Sequence, residues 1–111
     1  MPDRAAPPTP LEIGEDHRNG RVIMTLRGTL DEQTAPGLTR RLSVLRGKQH
    51  AVLIDVGALR SIDEEGMQIL VANVRAGAAR APITITRDCP ALNVLAAKLG
   101  VASLLPYEEP T

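Results

Sequence analysis

Residues 51–56 read AVLIDV and are apolar at every position except Asp55. So short and so apolar a run is typical of a strand that is covered on both faces of a sheet. We therefore expect a buried strand that leads through residues 63–66, here called the acidic turn, into an amphipathic helix. The apolar stripe of that helix recurs at i, i+3, i+4 and i+7 and is predicted to lie in the core: Met67, Leu70, Val71 and Val74.

The chain before this segment predicts a β-hairpin and a first helix. Apolar and polar residues alternate on both sides of Asn19-Gly20, a pair that accepts the positive φ angles of a type I′ turn. A helix over about residues 36–46 follows, with Pro36 in its first turn and Gly47 at its end. Its apolar face is marked by leucines at helical spacing: Leu38, Leu42 and Leu45.

The chain after the central helix predicts another short strand and a last helix. Gly77 and Pro82 bracket the exit from the central helix. Ile83 and Ile85 alternate with threonines, which indicates a strand. The last helix begins at Pro90, and its apolar face carries three leucines: Leu92, Leu95 and Leu99.

The resulting element order is β-β-α-β-α-β-α, and it predicts an α/β fold. Alternating strands and helices favour parallel strands joined by right-handed crossovers, here in a mixed sheet that opens with an antiparallel hairpin. A length of 111 residues allows a single domain. We place this domain over residues 11–107, and its last part, 101–107, is expected to dock onto the fold. The proline-rich residues 1–10 and residues 108–111 are predicted to be flexible tails.

Composition excludes several classes of function. Thirteen basic and thirteen acidic residues cancel, and no basic run argues for nucleic acid or an anionic membrane as a partner. Tyr107 is the only aromatic residue, which excludes a stacking platform for bases. No apolar stretch approaches the roughly 20 residues of a membrane span, and the N-terminus lacks the apolar core of a signal peptide. We therefore expect a cytoplasmic protein.

The residues that usually carry catalysis or bind metals are scattered. His17 lies beside the predicted hairpin turn and His50 in a predicted loop, and neither has a neighbour at metal-ligand spacing or a nucleophile to activate. The single cysteine, Cys89, cannot form an internal disulfide and is expected to be an ordinary buried or semi-buried residue. The glycine-rich phosphate-binding motifs are absent. We predict no cofactor, no metal and no catalytic residue.

The acidic residues are the exception, because they gather where predicted elements end. Capping explains part of this pattern: Asp63 as N-cap is worth about 1 kcal/mol, and Glu64 and Glu65 in the first turn each gain roughly 0.3 to 1 kcal/mol from the helix dipole. Gly66 costs about 1 kcal/mol relative to alanine at such a position. It indicates the close approach of another backbone or of a partner, or tight packing against the sheet. Two further carboxylates are predicted near strand ends: Asp31 follows the second strand, and Asp55 lies at the end of the central strand.

Four segments resemble the STAS domains of the anti-sigma factor antagonist type. They are residues 28–31 (GTLD), 52–56 (VLIDV), 61–67 (SIDEEGM) and 99–101 (LGV). The resemblance covers roughly residues 11–107, and the strand-turn-helix segment is its most specific part. In that family the turn usually reads Asp-Ser-Ser-Gly, and its first serine is phosphorylated by an anti-sigma factor that is also a kinase. The unphosphorylated antagonist binds this kinase and frees the sigma factor, whereas phosphorylation breaks the complex.

The chain departs from the family pattern at the phosphoacceptor. Glu64 stands where the first serine is expected, and Glu65 replaces the second. A carboxylate has no hydroxyl to phosphorylate, so the usual switch cannot operate at this position. Phosphoserine carries a charge of about −1.5 to −2 and three acceptor oxygens. Glu64, with one charge and two oxygens, is therefore an approximate mimic of the phosphorylated state.

The resemblance implies a non-enzymatic regulator of transcription whose partner is an anti-sigma factor of the ATPase-fold serine kinase type. The contact surface is predicted to combine the loop after the second strand, the acidic turn and the exposed face of the next helix. Asp31 is explained equally well as a residue that leads the chain into the first helix. The predicted contact residues are Asp31, Asp63, Glu64, Glu65, Gly66 and Gln68.

Several readings of the acidic turn stay open. In the first, the domain binds its anti-sigma factor without control by phosphate. In the second, the fixed charge resembles the released state, and the domain is a scaffold or accessory subunit of a stress-signalling or lipid-transport complex. In the third, Ser61 or Ser103 accepts the phosphate instead. A small-ligand sensor is a further alternative, and an enzyme is disfavoured because the carboxylates lie at an exposed helix start with no cleft implied.

Overall fold

The computed structural model describes residues 11–76 and 81–107. Within these residues the predicted element order is confirmed, and a short 3₁₀ helix is added near the C-terminus. The predicted flexible tails and the predicted role of Gly77 lie outside the described residues. The elements are β1 (Glu12–Arg18), β2 (Arg21–Leu30), α1 (Ala35–Gly47), β3 (Ala51–Ile62), α2 (Glu64–Arg75), β4 (Ile83–Ile85), α3 (Pro90–Lys98) and the 3₁₀ helix Ala102–Leu104.

The strands form one sheet in the order β1-β2-β3-β4. β1 and β2 are antiparallel, whereas β3 is parallel to both of its neighbours. Asn19 and Gly20 turn the hairpin with φ angles of 52° and 81°, which agrees with the predicted type I′ turn. α1 and α2 contact each other and therefore lie on the same face of the sheet, which agrees with right-handed crossovers between adjacent parallel strands.

One apolar cluster joins this face of the sheet to the helices. In β2, buried residues alternate with half-buried and exposed ones, so a single face of the strand contributes to the core. The predicted core stripe of α2 and the leucine face of α1 are both confirmed. The buried residues of these three elements include Val22, Met24, Leu26, Leu38, Leu42, Leu45, Met67, Leu70, Val71 and Val74.

β3 is longer than the sequence predicts. The apolar run ends at Val56, but the strand continues to Ile62 because the ten residues of β2 extend alongside it. Asp55 therefore lies inside the strand, and the prediction that it ends the strand is wrong. Ser61 also lies inside the strand and pairs with Thr29. Register shifts in this part of the sheet interrupt the alternation by which a strand is recognised in a sequence.

The histidines lie at the hairpin end of the sheet, and the cysteine lies at the start of α3. His17 is exposed and His50 half-buried, with their rings edge to face and 5.6 Å apart. Cys89 is buried, as predicted, and its Sγ caps α3 by accepting a hydrogen bond from the backbone amide of Leu92 at 3.4 Å. The described ranges contain no group of three His, Cys, Asp or Glu placed to hold a metal ion. They also contain no helix with the length and hydropathy needed to cross a membrane.

The segment after α3 docks onto β4, as predicted. The backbone amide of Ile85 donates to the carbonyl of Pro106 at 3.1 Å, and Ile85 pairs with Tyr107 in a parallel bridge. The Tyr107 hydroxyl donates to Oδ1 of Asn93 at 3.0 Å, and the Arg87 guanidinium lies 4.1 Å from the ring centroid. The segment thereby covers the outer edge of β4, which would otherwise present unpaired backbone groups.

The docking of this segment is expected to weaken at alkaline pH because of Tyr107. Burial raises the pKa of its phenol, although the nearby Arg87 charge opposes part of that rise. The folded state therefore holds the phenolic proton more tightly than the unfolded state, and the stability it contributes is lost as pH rises through the folded pKa. Because Tyr107 is the only tyrosine, the ultraviolet absorbance of tyrosinate reports this single group. We expect a higher titration midpoint in the folded protein than in urea, and an equal or lower one contradicts the prediction.

Candidate functional site

The ends of β2 and β3 lie side by side and bring the predicted contact residues together. Leu30 pairs with Ile62 in the parallel register, and the backbone amide of Asp63 donates to the carbonyl of Leu30 at 3.2 Å. Asp31 and Asp63, which follow these two residues, therefore leave the same edge of the sheet. The carboxyl ends of parallel strands are a common place for binding sites. The loop after β2 and the acidic turn thus form one continuous surface.

Asp63 fixes the start of α2. Its backbone is extended, and its Oδ1 accepts a hydrogen bond from the backbone amide of Gly66 at 2.7 Å, so the predicted N-cap is confirmed. Glu64 and Glu65 occupy the first turn with exposed side chains. Their charges lie at the positive end of the helix dipole, which stabilises them. The turn therefore presents two free carboxylates from a backbone whose conformation is set.

Gly66 is buried because the backbone of β2 passes directly against it. A Cβ atom at this position would lie 2.8 Å from the carbonyl carbon of Leu30, nearer still to its oxygen, and 3.2 Å from the amide nitrogen of Asp31. Of the explanations that the sequence allows for this glycine, close approach of another backbone of the same chain is the one observed. Gly66 holds the acidic turn against the end of β2 and offers little surface of its own.

Asp31 organises the loop between β2 and α1. Its Oδ1 accepts hydrogen bonds from the backbone amides of Gln33 at 2.9 Å and Thr34 at 3.0 Å. The Thr34 hydroxyl in turn donates to the carbonyl of Thr29 at 2.8 Å. Asp31 is half-buried, and these bonds give it the loop-forming role that the sequence left as an alternative. It remains next to the acidic turn, where its charge adds to that of Glu64 and Glu65.

The other predicted residues are distributed as follows. Gln68 is exposed on α2, one turn after Glu64. Asp55 lies within β3 away from the acidic turn, and its Oδ1 accepts a hydrogen bond from the backbone amide of Gly57 at 2.9 Å. Ser103 is exposed in the 3₁₀ helix near the C-terminus. Only Gln68 of these three belongs to the surface formed by the acidic turn.

Two features beside the acidic turn escaped sequence reasoning. The hydroxyls of Thr29 and Ser61 share a hydrogen bond at 3.0 Å across the ends of β2 and β3. An apolar groove also runs along α2 next to Glu64, and its far wall comes from Leu99 and Val101. Both features join residues about 30 or more positions apart in the chain, so no local pattern announces them. The one available signal was the occurrence of residues 28–31 and 99–101 among the segments that resemble STAS domains.

Comparison with known families identifies the fold that carries this surface. The model of the family described as "Mlab, STAS domain" matches residues 13–106. The chain therefore belongs to the STAS domain family, as its segments 28–31, 52–56, 61–67 and 99–101 indicated. No curated protein matches the sequence.

Solved structures share the same architecture at low sequence identity. An anti-sigma factor antagonist from Mycobacterium paratuberculosis superposes with a TM-score of 0.80 at 19% identity, over 96% of this chain and 92% of the other. The anti-sigma factor antagonist SpoIIAA in its unphosphorylated form gives 0.65 at 12% identity, over 88% and 89%. The Bacillus cell fate determinant SpoIIAA in its phosphorylated form gives 0.64 at 13% identity, over 88% and 92%. At sequence identities this low, the superpositions establish a shared fold alone.

Proposed function

We propose that this protein is a cytoplasmic, non-enzymatic anti-sigma factor antagonist whose partner is an anti-sigma factor of the ATPase-fold serine kinase type. One observation carries the proposal: the acidic turn presents the exposed Glu64 from a backbone fixed by the Asp63 cap and by the contact of Gly66 with Leu30. A rigid, charged loop needs little ordering when a partner binds, so more of the interaction energy appears as affinity. The family and its fold agree with this role.

The contact residues have different parts in the proposed interface. Glu64 and Glu65 are exposed and receive basic side chains of the partner, since charge-assisted hydrogen bonds to carboxylates favour arginine and lysine. Gln68 extends the contact one turn along α2. Asp31 and Asp63 use a carboxylate oxygen within the chain, so they contribute mainly position and charge. Gly66 contributes the close packing that places the turn.

The absence of a hydroxyl at position 64 makes this binding independent of phosphate at the usual site. In the proposed mechanism the negative charge of Glu64 is part of the interface and meets a basic residue, instead of acting as a signal for release. The anti-sigma factor is then held for as long as the antagonist is present. Control passes from modification to the amount of this protein or to other sites of the chain.

A series of substitutions at Glu64 tests the proposal. Wild type, Glu64→Ser and Glu64→Lys are mixed with each kinase-type anti-sigma factor of the same organism, with and without ATP, and complex formation and phosphate transfer are measured. We expect wild type to bind equally in both conditions and Glu64→Lys to bind about tenfold or more weakly, because a like charge then faces the basic partner. We expect Glu64→Ser to accept phosphate and dissociate in ATP.

The matched control is Glu12→Lys, which makes the same change of charge at an exposed position of the edge strand β1. It should leave binding unchanged, so that a loss specific to position 64 is separated from an effect of net charge. If wild type binds none of the anti-sigma factors and Glu64→Ser neither binds nor accepts phosphate, the proposed function is rejected. Phosphate found on Ser61 or Ser103 of the wild type would instead move the control site to that residue.

A second candidate function is an accessory or scaffold subunit of a stress-signalling or lipid-transport complex. Two observations favour it. The description of the matching family model, "Mlab, STAS domain", does not mention anti-sigma factor antagonists. In addition, Glu64 places a negative charge where the STAS domains of the anti-sigma factor antagonist type usually have a serine. Purification of the tagged protein from its own cells distinguishes the two functions. Recovery of transporter subunits without an anti-sigma factor supports the second candidate, and recovery of an anti-sigma factor alone rejects it.

A further inference from the structure

A groove of about 300 Å³ lies beside the acidic turn, between α2 and the residues that follow α3. Its apolar surface comes from Leu99 and Val101, which are half-buried, and from the 9% of Val71 that is exposed, while Met67 is fully buried beneath them. Its rim is polar and exposed. The lining residues are Glu64, Met67, Gln68, Val71, Leu99 and Val101.

The far wall of the groove is held by the end of α3. Gly100 takes a φ of 72°, the left-handed conformation that ends many helices. The backbone amide of Val101 then donates to the carbonyl of Ala96 at 2.9 Å, and the backbone amide of Gly100 donates to the carbonyl of Ala97 at 3.2 Å. This pair of bonds is the Schellman arrangement. Leu99 and Val101 are therefore fixed opposite α2, and the groove exists without any partner.

The groove has one charged end. It follows α2 from Glu64 to Val71, a distance of about 10 Å at 1.5 Å per residue, which equals about two helical turns. Glu64 lies at the start of this path and is the charged residue of the lining. The opposite end of the same helix carries the exposed Arg75. An occupant that matches this pattern is apolar along its length and basic where it meets Glu64.

We propose that the groove is the docking site for a short amphipathic helix of a protein partner. The helix places two large apolar side chains, one turn apart, against Val71 and the wall of Leu99 and Val101, and a lysine or arginine beside Glu64. Amphipathic helices recognised in this way bind through apolar residues at i and i+4. The inference rests on the proposed function in that it assigns the groove to the same partner surface as the acidic turn. It adds the element of the partner that is recognised.

The probes are short helical peptides, because they test the groove without any anti-sigma factor. One peptide, held helical by a side-chain bridge since short helices are marginal in water, carries leucines at i and i+4 and a lysine one turn away. A second replaces the lysine by glutamate, and a third replaces both leucines by alanine. Methyl NMR of the whole protein follows Met67, Val71, Leu99 and Val101. We expect saturable shifts with the first peptide and binding about tenfold weaker or worse with the other two.

A tryptophan placed at the rim gives an independent test. The chain has no tryptophan, so Gln68→Trp introduces one fluorophore that fills the groove. Val44→Trp is the matched control, because Val44 is 56% exposed on α1, which contributes no residue to the groove. We expect Gln68→Trp to emit at shorter wavelength than Val44→Trp and to lose binding of the first peptide at least about tenfold, while Val44→Trp binds as wild type does.

Several results overturn the inference. It fails if the first peptide leaves the groove methyls unshifted at millimolar concentration, if the glutamate peptide binds as well as the lysine peptide, or if Gln68→Trp still binds. Shifts with phosphatidylglycerol vesicles but not with the peptide replace the protein partner by a lipid. Failure of the peptides while wild type still binds an anti-sigma factor rejects the groove alone. Failure of the anti-sigma factors while the peptide binds rejects the proposed function alone.

Discussion

Replacing Gly66 by alanine is expected to destabilise the protein, although helix propensity predicts the opposite. Alanine within a helix is favoured over glycine by about 1 kcal/mol. At position 66, however, the new Cβ would lie 2.8 Å from the carbonyl carbon of Leu30 and nearer still to its oxygen, and both groups are backbone that no rotamer change can move. Overpacking of this kind costs about 1 to 3 kcal/mol. The hydrogen bond from the amide of Asp63 to Leu30 would be stretched as α2 moves away, which costs about 1 kcal/mol more.

The net expectation is therefore a loss of roughly 1 to 3 kcal/mol in the free energy of unfolding. Urea denaturation followed by circular dichroism measures it. Gly37→Ala is the matched control: Gly37 also lies in a helix, α1, but a Cβ there would meet no described atom nearer than 3.9 Å, at the mobile end of Arg40. We expect Gly37→Ala to raise the free energy of unfolding slightly, because alanine has the higher helix propensity and its Cβ meets no clash there. If Gly66→Ala also gains stability, the contact with Leu30 does not constrain α2.

The same substitution is expected to weaken binding of the proposed anti-sigma factor partner without removing any charge. Moving the start of α2 displaces Glu64 and Glu65 relative to Asp31, and a partner fitted to their spacing would lose about tenfold or more in affinity. Competition between Gly66→Ala and wild type for one anti-sigma factor measures this loss at a temperature where both are folded. Equal affinity would show that the exact placement of the turn is unimportant for the proposed interface.

Replacing Leu70 by alanine is expected to cost about 2 to 5 kcal/mol in the free energy of unfolding. Leu70 is 0% exposed and belongs to the cluster that joins α2 to the sheet. Small domains are stable by only about 5 to 15 kcal/mol, so this one side chain accounts for a large fraction of the total. The cost has two parts, the lost burial of the isobutyl group and the cavity that the rigid surroundings leave unfilled.

Val44→Ala provides the comparison for Leu70→Ala. Val44 is an apolar residue of a helix too, but it is 56% exposed, and its truncation should change stability by no more than about 0.5 kcal/mol. Circular dichroism in urea measures both variants, since the chain lacks the tryptophan that fluorescence would need. If Leu70→Ala costs as little as Val44→Ala, the stripe of α2 is not the centre of the core.

Much of the fold was predictable because local patterns decide it. The spacing of leucines in α1 and of the apolar stripe in α2 depends only on the period of a helix. The hairpin followed from Asn19-Gly20, whose residues adopt the positive φ angles that the turn requires. The alternation of strands and helices then favoured parallel strands joined by right-handed crossovers, and few topologies satisfy that rule. The N-cap role of Asp63 is local in the same sense, because its partner is the amide of Gly66, three residues away.

The sequence named candidate residues for the site, but it did not predict their geometry. The extension of β3 to Ile62 depends on pairing with β2 and on register shifts within that pair. The hydrogen bonds of Asp31 show that its loop, and not only a partner, explains this carboxylate. The groove requires the Schellman end of α3 to face α2. Each of these features depends on contacts between distant parts of the chain, and no single segment encodes them.

Position 64 separates what the amino-acid sequence encodes from what depends on packing. Glutamate at this position has a carboxylate and no hydroxyl, which follows from its covalent chemistry and needs no structure. The exposure of this carboxylate at one end of an apolar groove, with the backbone of Leu30 packed against Gly66, depends on the folded chain. A partner recognises a charge by its position relative to the surrounding surface, and that arrangement forms only when β2, β3 and α3 pack together.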